Sequence, residues 1–214
     1  MDKVVILITV KKWLLSAFLI ATATAVLPAN AEDVKQKLID KLEIVGGFSA
    51  DFIQVVSDAD GNELQQQSGI LKVRRPNLIY WETVEPDETL IVSDGQTLWF
   101  YNPFVEQVSA FEVSNAVANT PILLLSDTDK ALWQDYQVTS QDNSSYAITS
   151  LDENAQVKTL ALTFDGDVLS AFTIEDATGQ FSRFSLSNVS TKPLPALDQF
   201  NFALPEGVDF DDQR

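Results

Sequence analysis

Short apolar stretches separated by turn residues dominate the chain after residue 47. Between residues 48 and 101 the pattern predicts five strands, with turns at 58–62, 76–77, 86–88 and 94–95. A sixth possible strand covers 104–113, and strands resume from 136 to 189, with a possible edge strand at 199–204. These connections are too short for crossover helices, so the roughly ten strands are expected to form an antiparallel meander.

Two regions show a helical pattern instead. Val34, Leu38 and Leu42 recur at helical spacing and predict a helix over residues 33–42, which Gly46 and Gly47 end. The second region is 114–125, SNAVANTPILLL, where Asn119 or Thr120 can cap a helix and Pro121 suits its first turn. Residues 127–134 could add another helical turn. The fold class is therefore mainly β, of the α+β type.

A sheet of about ten strands must curl. It can close into a barrel, split into a sandwich, or remain an incomplete antiparallel barrel that another element covers.

The strand at 98–101, Leu-Trp-Phe-Tyr, is apolar on both faces. A two-residue turn at Asp94 and Gly95 would pair Ser93 with Gln96. Alternation then places one set of side chains on one face (Ile91, Leu98 and Phe100) and a second set on the other (Leu90, Trp99 and Tyr101). One face could pack on a helix while the other lines a cavity; a sandwich with both faces buried is the alternative.

The segment 122–125, ILLL, is apolar almost all round, unlike a surface helix with a single apolar stripe. Such a helix is either permanently buried or covers an apolar surface that is sometimes occupied by something else. A movable apolar cover over an apolar trough is the interpretation that links this segment to strand 98–101.

The composition excludes several kinds of chemistry. The chain has no Cys and no His, which rules out Ser-His-Asp and Cys-His catalysis and Cys/His zinc sites. Residues 58–63 resemble a calcium loop but have Gly at position four instead of six, so a turn is predicted. The remaining carboxylates leave a two-carboxylate hydrolase open as an alternative, and no cofactor is expected.

The N-terminus has the pattern of an export signal: Lys3, Lys11 and Lys12, an apolar run from 13 to 26, and small residues at 29–31. We therefore predict a cleaved signal peptide at 1–31, a single domain at 32–214 and a location in the bacterial periplasm. Residues 1–31 hold three Lys and one Asp, so the remaining chain has 11 basic and 30 acidic residues. Such an acidic chain is not expected to bind nucleic acid.

Arg75 is one of four arginines after residue 31 and stands directly before Pro76 at a strand end. Its five donors could hold the carbonyls of a covering helix at the rim of a trough. A solvated charge at a strand end is the plainer alternative.

Four stretches carry a resemblance to a known family: KVRRPNLIYW (72–81), PDETLIVSDGQTLWFYNPFVEQ (86–107), NTPILLL (119–125) and LPEGVDFDDQR (204–214). The chain resembles the LolA-type periplasmic lipoprotein carriers of Gram-negative bacteria. The resemblance implies an incomplete barrel with a helical lid over a cavity for acyl chains, and a chaperone role without enzymatic activity. It also implies three partners for a monomeric carrier: acylated lipoproteins, an inner-membrane ABC lipoprotein-releasing complex and an outer-membrane lipoprotein receptor.

The resemblance assigns roles to particular residues. It implies that Arg75 holds the lid shut and that residues 114–125 form the lid, with Ala116, Val117, Pro121, Ile122, Leu123, Leu124 and Leu125 as its candidate residues. The acyl-chain cavity is expected to be lined by Ile79, Trp81, Ile91, Leu98 and Phe100. Alternatives are an outer-membrane receptor of the same fold, against which the missing lipid-attachment Cys argues, a lipid- or glycan-directed hydrolase, and a stress-signalling sensor.

Overall fold

A computed structural model describes residues 31–116, 121–127, 131–142 and 144–214. Its described residues form one open sheet of twelve strands, in the order β12-β6-β5-β4-β3-β2-β1-β11-β10-β9-β8-β7. All neighbours are antiparallel except β12 and β6, which are parallel. The strands are β1 Gly47–Ser57, β2 Glu63–Arg74, β3 Leu78–Glu85, β4 Thr89–Asp94, β5 Thr97–Asn102, β6 Gln107–Glu112, β7 Tyr136–Ser140, β8 Ser145–Ser150, β9 Val157–Asp165, β10 Val168–Asp176, β11 Phe181–Ser190 and β12 Asp209–Asp212.

The sheet does not close, because β7 and β12 lie at its two edges. The prediction of an incomplete antiparallel barrel is therefore confirmed, and the sandwich is excluded for the described residues. Residues 1–30, which fall within the predicted signal peptide at 1–31, lie outside the described residues. No described helix is both long enough and apolar enough to cross a bilayer.

The N-terminal helix α1, Ala31–Val45, packs across one face of the sheet, which we call the inner face. Its buried stripe is Leu38, Ile39 and Leu42, as the spacing predicts. Glu32 and Asp33 stand in its first turn, where carboxylates complement the helix dipole. Gly46 ends it with φ 67°, a backbone conformation that favours glycine, and its N–H reaches Leu42 O at 3.3 Å.

Three further helices in the described residues are 3₁₀ helices, at Pro121–Leu125, Leu132–Asp135 and Leu197–Phe200. A four-residue helix, α2, covers Val113–Ala116. The helix predicted near residue 121 therefore exists as a short 3₁₀ turn, which we call the 121–125 helix. Its predicted caps, Asn119 and Thr120, lie outside the described residues.

One core lies on the inner face and joins α1, the 121–125 helix and most strands. At its centre Phe52 packs edge-on against Trp81 and Phe184, with ring centroids 5.4 and 5.7 Å apart. Gly69 makes this possible, since a Cβ there would lie 1.9 Å from Glu82 O and 2.7 Å from the Phe52 ring. No residue larger than glycine fits at this crossing.

Two sequence predictions about the sheet are wrong in detail. Ser93 pairs with Leu98 instead of Gln96, because Gly95 (φ 96°) and Gln96 form the turn. A register shift of two residues leaves each side chain on the same face, so Ile91, Leu98 and Phe100 still share one face, as predicted. The C-terminal edge strand is β12, not 199–204, which overlaps the 3₁₀ helix Leu197–Phe200.

The second face of strand 98–101 is covered by the C-terminal segment. Trp99 stacks on Phe202 at 5.1 Å and lies 6.0 Å from Phe210, and Tyr101 lies 6.4 Å from Phe202. Val92, Val108 and Ala110 are buried on this side. The strand is apolar on both faces because the inner face meets the helices and the outer face meets residues 197–214.

Candidate functional site

An apolar cavity of about 340 Å³ lies on the inner face of β4–β6, beside α2. Strand register builds it: Ile91 faces Phe100, and Leu98 faces Phe111 on the next strand. Ala116 closes one side from α2. The full lining is Ile91, Leu98, Phe100, Ser109, Phe111, Asn115, Ala116 and Gln213. Its volume is at the small end of the range for ligand pockets, roughly 300–1,000 Å³.

The five predicted cavity residues all lie on the inner face. Ile79 and Trp81 of β3 pair with Ser93 and Ile91 of β4, and residues paired across antiparallel strands share a face. Three of them, Ile91, Leu98 and Phe100, line the open cavity, and Phe100 is 38% exposed. The other two do not line it. Ile79 is buried in the core, and Trp81 packs edge-on against Phe184 at 5.0 Å.

The predicted lid residues occupy two environments. Ala116 lines the cavity, whereas Ile122, Leu123, Leu124 and Leu125 are inserted into the core and are at most 3% exposed. Val117 and the side chain of Pro121 lie outside the described residues. The 121–125 helix belongs to the same apolar core as Leu98, which lines the cavity.

Arg75 stands beside the end of the 121–125 helix. Its Nη2 donates to Asp127 O, and its backbone N–H donates to Gly46 O at 3.0 Å. Two residues on, the Asn77 N–H donates to Ser126 O at 2.9 Å. The turn between β2 and β3 therefore holds the end of this helix through two hydrogen bonds to consecutive carbonyls.

The guanidinium of Arg75 is half-buried. Burial lowers its pKa from the usual value, and the charges of Glu43 and Asp127 partly offset that shift. Within the described ranges, Nε and Nη1 are buried without a hydrogen-bond partner. Arginine stays charged in proteins, so this group is a fixed cation at the edge of the apolar face.

A larger depression of about 680 Å³ adjoins the same helices but has a different character. Its lining mixes charged side chains, including Glu112, Asp212 and Arg214, with Val113 and Leu132, so it suits an apolar ligand less well than the cavity beside α2. Among the residues that the structure describes, no group of three acidic side chains could hold a metal ion. In the predicted turn at 58–62, Asp58 accepts hydrogen bonds from the backbone of Asp60 and Asn62.

The sequence reasoning missed four residues of the cavity lining: Ser109, Phe111, Asn115 and Gln213. Extending the alternation from Leu98 across the β5–β6 turn would have found Phe111, which faces it. No local signal indicates Gln213, because it reaches the cavity only through the pairing of β12 with β6.

The open sheet and the apolar cavity beside α2 define a half-barrel protein that can enclose apolar groups. The chain matches the family described as "Outer membrane lipoprotein carrier protein LolA" over residues 43–203, and it belongs to that family.

Curated relatives cover nearly the whole chain. The outer-membrane lipoprotein carrier protein of Aeromonas salmonicida is 42% identical over 205 residues, covering 95% of this chain and 99% of that protein. The protein of the same name from Actinobacillus succinogenes is 38% identical over 205 residues, covering 95% and 98%. A solved LolA superfamily protein from Nitrosomonas europaea is 15% identical, covers 79% of this chain and 98% of its own, and has a TM-score of 0.47.

Proposed function

We propose that this protein is a periplasmic chaperone that shelters the acyl chains of lipoproteins and carries them to the outer membrane. The observation that carries the proposal is the apolar cavity on the inner face, whose lining residue Leu98 shares one apolar core with the four buried side chains of the 121–125 helix. Its relatives are named outer-membrane lipoprotein carrier proteins, which supports the same cargo here. The activity is binding and transfer, without covalent chemistry.

The cavity is too small for several acyl chains, so the 121–125 helix must move when cargo enters. Exposing its four apolar side chains costs about 1.5–3 kcal/mol each, or roughly 6–12 kcal/mol in total. The Asn77 bond to Ser126 O adds about 1 kcal/mol, and the charged Arg75 bond to Asp127 O adds about 1.5–3 kcal/mol. Apolar burial, more than hydrogen bonding, therefore keeps the empty carrier closed.

Cargo can offset that cost. An acyl chain gains about 0.8 kcal/mol per buried methylene, so about 15 methylenes would contribute roughly 12 kcal/mol. The two terms are of similar size, and the acyl chain and the helix would exchange places on the inner face at little net cost. A carrier balanced in this way can both accept and release its cargo.

The remaining parts of the proposal follow from the export signal and the family. Residues 1–31 are removed on export, and residues 32–214 act as one carrier domain. Cargo comes from an inner-membrane ABC lipoprotein-releasing complex and passes to an outer-membrane receptor. In this scheme Arg75 holds the closed state, and an Arg75→Leu variant is expected to close less firmly and to deliver less lipoprotein.

The decisive test uses residues 32–214 and a radiolabelled lipoprotein in spheroplasts of a Gram-negative host. The wild-type chain should bring labelled lipoprotein into the soluble fraction, and Phe100→Glu, which places a carboxylate in the apolar cavity, should not. Ile44→Glu is the matched control, because Ile44 is exposed on α1, away from the cavity. Equal release by Phe100→Glu and wild type would remove this cavity from the proposal.

A further inference from the structure

The turn between β5 and β6 projects two apolar side chains into solvent. Phe104 is 91% exposed and Val105 is 55% exposed. The turn is held in one shape: Asn102 Oδ1 accepts from the N–H groups of Phe104 (3.0 Å) and Val105 (3.4 Å). The Asp209 N–H at the start of β12 also donates to Glu106 O at 2.8 Å. An aromatic ring held out by a fixed turn loses little conformational entropy on docking.

The surroundings of Phe104 are uniformly acidic. Because β1–β6 are consecutive antiparallel neighbours, the turns at 58–63, 85–89 and 102–107 lie at one end of the sheet, which we call the turn end. Val84, Glu88 and Pro103 border one shallow depression there, so the second and third turns are adjacent. The three turns contain no Lys or Arg and carry Asp58, Asp60, Glu63, Glu85, Asp87, Glu88 and Glu106.

The charge decides which occupant fits this surface. Anionic lipid headgroups would be repelled by seven carboxylates, so a bilayer is a poor partner. A second copy of the chain using the same end would meet like charges. A protein that surrounds an apolar pocket with Lys and Arg is complementary both to Phe104 and to its acidic rim.

We propose that the turn end is a docking surface for a protein partner that receives Phe104 in an apolar pocket with a basic rim. Phe100 lines the cavity and lies on β5, the strand that leads directly into this turn, so a docked partner would stand within a few residues of the cavity lining. The inference rests on the proposed carrier function in one respect: the partner is one that supplies or takes up acyl cargo.

The test measures co-sedimentation of fluorescently labelled residues 32–214 with inner- and outer-membrane fragments from a Gram-negative envelope. Binding should be lost after the fragments are treated with protease and should be absent on vesicles of the extracted lipids. It should also weaken as ionic strength rises from about 0.01 to 1 M, where the Debye length falls from about 30 to 3 Å. Phe104→Ser should weaken binding about tenfold, as expected for a central interface aromatic. Glu88→Lys with Glu106→Lys should also weaken it.

Ile44→Ser is the control, since it removes a comparably exposed apolar side chain at the opposite end of the sheet. It should bind like wild type, and all variants should have unchanged melting temperatures. Four outcomes would each overturn the proposal. The Phe104→Ser variant could bind membranes as well as wild type, or binding could survive protease and be matched by lipid vesicles. The wild-type chain could also bind neither membrane, or it could form a Phe104-dependent dimer in the ultracentrifuge.

A separate titration with cis-parinaric acid reports on the cavity alone. If Phe104→Ser binds cis-parinaric acid as wild type does but binds membranes more weakly, the result supports the docking surface. Failure of the wild-type chain to bind the fatty acid, with Phe104-dependent docking intact, would count against the carrier function and not against the surface.

Discussion

The two halves of the sheet have similar apolar inner faces but different covers. Over β7–β11 lies α1, a fifteen-residue helix that inserts Leu38, Ile39 and Leu42 into the core. Over β5 and β6 lies only the four-residue α2, with an apolar cavity beside it. The five-residue 121–125 helix contacts β9 and is held at its end by the turn between β2 and β3. An apolar strand face thus becomes core or binding site according to the length and attachment of the element that covers it.

Attachment differs as well as length. Lys41 Nζ on α1 bonds to Gly166 O at 2.6 Å and Asp167 Oδ1 at 3.0 Å, and Lys35 Nζ bonds to Trp133 O at 3.0 Å. The 121–125 helix is held at its end by bonds from Arg75 and Asn77 to main-chain carbonyls. We therefore expect α1 to stay in place and the 121–125 helix to exchange places with cargo.

The largest effect is expected from Phe172→Ala in the half of the sheet that α1 covers. Phe172 is fully buried and stacks on Phe184 with centroids 4.2 Å apart. Its removal should lower the free energy of unfolding by about 3–5 kcal/mol, measured by urea denaturation. Phe100→Ala in the half that α2 covers should cost about 1 kcal/mol or less, because that ring is already partly exposed. Equal costs at the two positions would contradict the comparison.

Leu124→Ala is expected to have an intermediate effect: it should lower stability but raise the affinity for an acyl chain. Leu124 is fully buried in the inner-face core, so the substitution should lower the stability of the closed state by roughly 2–3 kcal/mol. If the helix competes with acyl chains for one surface, weakening the helix should raise the affinity for cis-parinaric acid about tenfold or more. Leu38→Ala on α1 is the matched control, since it should lose comparable stability without gaining affinity. A lower affinity in Leu124→Ala would show that this helix forms part of the ligand site instead of competing with the ligand.

The smallest effect is expected from Lys41→Met. It removes the bonds to Gly166 O and Asp167 that position α1 but keeps the apolar stem of the side chain, and Asp167 is largely exposed. The free energy of unfolding should fall by less than about 1 kcal/mol. Lys37→Met, which breaks the surface pair with Asp33, is the reference for an exposed ion pair. A loss above about 2 kcal/mol would mean that α1 is held mainly by polar contacts.

Most of the strands and α1 could be predicted because their signals are local. Alternation and turn residues placed β7 at 136–140, as observed, and helical spacing with Gly46 placed the end of α1 within three residues. The face shared by Ile91, Leu98 and Phe100 was also predictable, since a register error of two leaves the alternation intact.

The rest depends on contacts distant in sequence. The strand β12 reads DFDD, which has no strand pattern of its own, and it forms only by pairing with β6 about a hundred residues earlier. Whether Ile79 meets cavity or core depends on how far the 121–125 helix inserts, and no property of residues 78–85 determines that. Phe104 was visible in the sequence, but its exposure depends on the geometry of its turn.

The cover of the outer face comes from residues 197–214, which follow strands β1–β11 in synthesis. Until these residues are synthesised, the rings of Trp99 and Tyr101 are exposed to water. An mRNA that ends before codon 202 would yield a chain with an uncovered apolar outer face. Such fragments should be degraded faster than the full-length chain, because the aromatic stack on Phe202 that covers Trp99 and Tyr101 is missing.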